Sequence, residues 1–207
     1  MATGNNAILR QLEQEWKAAL ASLPQAELAR PGWLWAMEDK SPRRPAALFA
    51  ELEDVRREWQ ELREWPKLRE HGESHVNPGW TYKDLLAHLA SWAEEFYHEV
   101  AAVAGGEAFD YEIPFEPKVG PTEWNAREVA RRRAMSLDEI FDQYDDASAR
   151  LQRMVIELAP QRLLSEARFP IRMGADPLVE SIARIAGIKC WHDRYHFAQI
   201  RERLGKA

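Results

Sequence analysis

Four long stretches of this chain place apolar residues at helical spacing, and each is fenced by proline or glycine. The first covers about 45–65, with Leu48, Phe49, Leu52, Val55, Trp59 and Leu62 on one face and Pro66 as its stop. In the second, over about 81–105, Tyr82, Leu85, Leu86, Leu89, Trp92, Phe96, Val100 and Val103 form the stripe before Gly105-Gly106. The third carries Leu137, Ile140, Phe141, Tyr144, Leu151, Met154, Val155 and Leu158 up to Pro160, and the last runs to about Leu204, before Gly205. A helix with one apolar stripe must bury it against other helices. With no βαβ alternation and no hairpin signal, the expected fold is all-α: a four-helix bundle, with connections long enough for a crossover.

The helix starts carry their own signals. Thr81 with Asp84 and Ser136 with Glu139 fit capping boxes, in which side chains satisfy the orphan N–H groups of a first turn. Asp176 followed by Pro177 matches an N-cap and first-position pair, so the last helix is expected to begin there. Between these, 105–121 reads as a long loop, Thr122 to about Arg133 as a short helix, and 160–176 as loop with at most an extended piece over 167–173. Ahead of the bundle, Ile8, Leu12, Trp16, Ala19 and Leu23 suggest another helix over 5–23, ended by Pro24. The organisation is therefore an extra N-terminal helical segment, 1–44, and a bundle domain, 45–207.

Composition narrows the function. The 207 residues are 45% hydrophobic and 30% charged, enough to build a core, and no apolar run reaches the length of a membrane span. A net charge of −6 gives no general nucleic-acid footprint, and the basic run Arg131-Arg132-Arg133 reads as a solvated helix face. The start, MATGNNAILRQLEQEW, does not resemble a signal peptide, and a single cysteine, Cys190, allows no internal disulfide. A cytoplasmic location is the expectation. Nine tryptophans are best read as large packing residues between helices.

The chemistry-bearing residues are histidines. His192 and His196, in WHDRYHFAQI, stand four apart, so two imidazoles leave one face of a helix and can share an ion. Both fall inside the apolar stripe of the last helix, with Cys190 on its far side and Arg203 following on the histidine face. Arg203 reads as a rim cation shielding the core. His88, on the shoulder of the second stripe, can supply a third nitrogen from a facing helix. Three ligands with positions left open characterise a catalytic rather than a structural site. Glu95, Glu99 and Asp193 are the candidate proton-transfer or orienting carboxylates, with Glu95 more simply an exposed charge. His71, His75 and His98 have weaker claims. The residues alone put a metal site only slightly ahead of two satisfied core histidines, and the absence of H-E-x-x-H gives no support to a zincin protease.

The segment GWTYKDLLAHLASWAEEF, followed two helices later by WHDRYHFAQI, resembles the DinB-like superfamily of four-helix bundles. EWNAREVARRRAMSLDEIF, with Asn125, is similar to that family's connection into its third helix. The resemblance covers about 45–204 and implies a divalent metal, zinc or nickel first and iron also, held by His88, His192 and His196. It implies a small-molecule substrate. The first activity it suggests is an S-transferase that uses a low-molecular-weight thiol against electrophiles; the alternative is hydrolysis of a small reactive compound. A non-catalytic, stress-related metal-binding bundle and a plain helical protein without metal are the remaining readings. A homodimer formed through residues 1–35 is a further expectation.

Overall fold

A computed structural model describes residues 45–77, 79–106, 114, 121–158, 166–173 and 176–205. The expected N-terminal helix and most of the 105–121 loop lie outside these residues. The elements in order are α1 (Pro45–Arg63), α2 (Pro66–Glu70), β1 (His75–Asn77), β2 (Trp80–Thr81), α3 (Tyr82–Gly105), α4 (Thr122–Arg132), α5 (Leu137–Glu157), β3 (Glu166–Met173), β4 (Asp176–Ser181) and α6 (Ile182–Gly205).

The four long helices, α1, α3, α5 and α6, form the expected bundle. α1 packs on α5 and α6, and α3 packs on the same two, so the consecutive helices α1 and α3 lie diagonally. This is a crossover arrangement: α2 and the β1–β2 ribbon carry the chain between the diagonal corners. The core is continuous through Leu48, Val55, Trp59, Leu62, Leu86, Leu89, Phe141, Leu151 and Ile200, all essentially inaccessible to water. Each such side chain contributes about 1.5–3 kcal/mol relative to its exposed state. Among the described residues, no helix is long and apolar enough to cross a membrane.

Local signals set most boundaries. At α3, Thr81 accepts from the Asp84 N–H while the Asp84 carboxylate accepts from the Thr81 N–H; Ser136 and Glu139 do the same at α5. α3 ends where Gly106 turns left-handed at φ 81°, its N–H closing onto Ala102 and Val103 carbonyls. Pro66 both stops α1 and starts α2, where its missing N–H costs nothing.

Four expectations are corrected. The last helix begins at Ile182, not at Asp176–Pro177: residues 176–181 instead pair antiparallel with 166–173, from Glu166 opposite Ser181 to Met173 opposite Asp176. A hairpin therefore exists here although the sequence carries no hairpin signal. Its register shifts between Arg168 and Arg172, the stretch holding Pro170, which cannot donate to a ladder. Long-range pairing has overridden a good local cap. Arg132 is not on a solvated face. It is buried, donating to Gln143 Oε1 (2.9 Å), Glu128 Oε2 (2.8 Å) and Glu94 Oε2 (2.9 Å), and so clamps α4 to α3 and α5. Arg131 and Arg133 are exposed, as expected. Glu95 is buried rather than an exposed charge. Finally, α6 is not one-sided. Cys190, Lys189 and Asp193 are as buried as Ile185 and Phe197, because α1 and α3 flank the helix on different sides.

Candidate metal centre

The centre lies between α3 and α6. The Thr81 cap fixes the start of α3, and His88 leaves that helix two turns later, while His192 and His196 leave one face of α6. Their ligating nitrogens all lie within 4.8 Å of one another. The Nε2 atoms of His88 and His192 are 3.1 Å apart. His196 completes the group, with its ring centroid 5.0 Å from that of His88 and 4.7 Å from that of His192.

This geometry fits a shared divalent ion. Two imidazole nitrogens held tetrahedrally at about 2.0–2.1 Å from one zinc stand about 3.3 Å apart, close to the separation between His88 and His192. The environment also favours neutral, metal-competent rings. Burial pushes His88 well below the usual histidine range, and positive charge on His192 or His196 would push it further. Burial, then His192, lowers His196 to about 4, against an opposing hydrogen bond from Gln199. All other histidines among the described residues, His71, His75 and His98, are exposed and distant from this group.

Neighbouring groups select the tautomers. The Nδ1–H of His196 donates to Gln199 Oε1 at 2.8 Å, leaving Nε2 with its lone pair. The Nδ1 of His192 faces Asp193 Oδ1 at 3.4 Å, which turns its Nε2 toward His88. The Nδ1 of His88 is buried and has no hydrogen-bond partner among the described residues. Asn125 lies near enough to raise the basicity of His88, but its Oδ1 accepts from Trp92 Nε1 at 2.9 Å. Asn125 thereby docks α4 onto the helix that carries His88.

Aromatic rings wall the centre. Trp80 sits 5.1 Å from the His88 ring, Trp92 5.7 Å from His192 and Phe96 6.0 Å from His192, with Trp124 packed behind Trp92 at 4.9 Å. Five of the nine tryptophans, Trp59, Trp65, Trp80, Trp92 and Trp124, thus pack in the bundle as expected of filler, and three of them, Trp80, Trp92 and Trp124, also form this wall.

The three predicted ligands are brought together; the predicted carboxylates diverge. Asp193 is wholly buried and adjoins His192. Burial alone would raise its pKa, but the Lys189 charge and the His192 contact outweigh it and hold the carboxyl below the usual range. Glu95 lies two turns beyond His88 on α3 and is buried, and Glu99, one turn further, is half-buried; neither stands free of a partner. Arg203 is exposed and donates to the Val76 carbonyl, tying α6 to β1 rather than reaching the histidines. Lys189, Tyr144 and Gln199 were not singled out from sequence. The signal for Lys189 and Gln199 was present as spacing, four before Asp193 and three after His196, both within reach on a helix.

The comparisons agree with this architecture. A family model for the DinB superfamily matches residues 51–200, which include all three histidines. Solved structures of similar shape include YfiT from Bacillus subtilis, described as "a probable metal-dependent hydrolase with an unusual four-helix bundle topology". It shares 16% identity with a TM-score of 0.59, covering 81% of this chain and 91% of YfiT. A protein from Streptococcus pneumoniae shares 13% identity with a TM-score of 0.61, covering 79% of this chain and 91% of that one. No curated protein matches the sequence. With a family match spanning most of its length and the bundle that the family builds, this chain belongs to the DinB superfamily.

Proposed function

We propose that this protein is a metal-dependent enzyme acting on a small molecule, and that the reaction is hydrolysis. The observation that carries the reading is the convergence of His88, His192 and His196 from two helices: three nitrogen ligands, with no fourth His, Cys, Asp or Glu in the group among the described residues. The description of YfiT supports the choice of hydrolysis. An ion in this site would supply Lewis acidity, making a water or thiol that reached it more acidic and polarising a substrate carbonyl.

The chain's own residues have separable roles. His88, His192 and His196 hold the ion, and Gln199 and Asp193 keep two of those rings in the binding tautomer. Trp80, Trp92 and Phe96 exclude bulk water from one side and offer apolar surface to a substrate. Glu95 and Glu99, on the helix of His88, are the carboxylates assigned to proton transfer. A second reading is S-transfer from a low-molecular-weight thiol to an electrophile. Asp193 favours it, because that carboxylate is locked in the core and cannot act as a solvent-facing base for water, whereas a thiol bound to the ion needs less help to lose its proton.

The test is turnover of small reactive esters, amides and strained-ring compounds by zinc- or nickel-loaded protein, with and without added small thiols. Turnover without thiol, lost in His192→Ala, is the expected result. Turnover that requires thiol would replace hydrolysis with S-transfer. A tightly bound metal with neither activity would leave a non-catalytic metal-binding bundle.

A further inference from the structure

Behind the histidines, Asp193 continues into a buried polar chain whose other members, Tyr144 and Lys189, the reaction above does not use. Tyr144 on α5 and Lys189 and Asp193 on α6 are each at most 1% exposed. The Tyr144 hydroxyl donates to Asp193 Oδ2 at 2.5 Å, and Lys189 Nζ donates to the same oxygen at 2.6 Å. Lys189 also donates to the Tyr144 oxygen at 3.1 Å, so the phenol gives one hydrogen bond and accepts another. Trp59 of α1 stacks on the Tyr144 ring, centroids 3.8 Å apart, and restricts its tilt.

The two oxygens of Asp193 are therefore used differently. Oδ2 takes both anchoring donors. Oδ1 is left facing His192 Nδ1. Asp193 is next to His192 in the chain, and the two donors on Oδ2 hold its carboxylate with Oδ1 toward that ring. A buried ion pair alone is weak evidence of stabilisation, since apolar residues of similar volume often do as well. A division of labour between the oxygens is what an orienting carboxylate requires: one side anchored, the other turned to the ligand ring.

We propose that Tyr144 and Lys189 are positioning residues for the metal centre, acting through Asp193 to set the tautomer and direction of His192. The proposal rests on the metal reading of the three histidines. Under it, α1 and α5, which supply no ligand, take part in the site: Trp59 holds Tyr144, Tyr144 and Lys189 hold Asp193, and Asp193 holds His192.

The test compares wild type, Tyr144→Phe and the charge-free double variant Lys189→Met/Asp193→Leu. For each, the zinc dissociation constant, the visible spectrum of the cobalt(II)-loaded protein and the melting temperature of the metal-free protein are measured. Positioning predicts a double variant that still folds without metal, melting somewhat lower because the Tyr144 hydroxyl loses both partners, but whose zinc affinity is about 10–100-fold weaker and whose cobalt bands are shifted. Tyr144→Phe shifts the bands in the same direction with a smaller loss of affinity. A folded double variant with wild-type affinity and spectrum would overturn positioning and leave a core ion pair. Should the double variant not fold, Tyr144→Phe decides: an unchanged spectrum and affinity overturn the proposal. Absence of zinc or cobalt binding by wild type would instead remove the metal reading itself, and this proposal with it.

Discussion

The Nε2 atoms of His88 and His192 lie 3.1 Å apart although the residues are 104 apart in the chain. Two imidazole nitrogens meet nose to nose at this distance only if a proton or a cation lies between them. With His196 beside them, the cation reading makes one prediction straight away. Protein purified without a histidine tag should carry about one equivalent of divalent metal, and His88→Ala should carry none by elemental analysis. Full occupancy in the variant would mean that the ligands lie elsewhere.

The ion would join α3 to α6, so its removal should be visible as lost stability. Chelation at pH 7.5 should lower the melting temperature, because a ligand that binds only the folded state stabilises it by about 4 kcal/mol at a thousand times its dissociation constant. The drop should be smaller at pH 5, where protons already compete for the imidazoles. Calorimetry with metal content measured in parallel checks this; an unchanged melting temperature after proven removal contradicts it.

Acid should destabilise the metal-free protein over a defined window. The folded pKa of His196 is lowered from 6.5 to about 4, first by burial and then by His192. Between those values the unfolded chain binds a proton that the folded chain does not, so stability falls as pH drops from about 6.5 to about 4. His196 contributes on the order of 3 kcal/mol of that loss, and His88, lowered in the same direction by burial, adds to it. Urea titrations of metal-free protein at several pH values should show the decline, and His196→Gln should flatten it.

Gln199 should matter to metal affinity while touching no metal. Its Oε1 is the acceptor for His196 Nδ1–H at 2.8 Å. Gln199→Leu removes that acceptor and should weaken zinc binding about 10–100-fold, measured by competition with a chromogenic chelator. An unchanged dissociation constant would show that the helix alone sets the ring.

Trp59 is the test of the core. It is wholly buried, stacks on Tyr144 and meets Phe141 edge-on at 4.9 Å. Trp59→Ala should cost about 3–5 kcal/mol in chemical denaturation. A loss below 1 kcal/mol would mean that the α1–α5 packing collapses easily around the gap.

Sequence by itself determined the four bundle helices and picked out the three histidines that converge. Stripes such as Leu85–Leu89–Trp92–Phe96 fix a buried helical face, and the Thr81/Asp84 and Ser136/Glu139 boxes fix two starts, because these are interactions within a few residues of the chain. The i, i+4 spacing of His192 and His196 equally puts both rings on one face. Tertiary structure decided what depends on distant partners. Asp176–Pro177 is a sound local cap, yet residues 176–181 gain more from pairing with 166–173 and become a strand. Arg132 looks like a surface charge until α4 packs on α3, and Glu95 until its helix packs into the bundle. Lys189 and Asp193 are an ordinary helical ion pair in sequence; only the arrival of Tyr144 from α5 turns them into an anchor behind His192. Periodicity records which face a residue occupies, whereas burial and hydrogen-bond partners are set by whatever packs on that face.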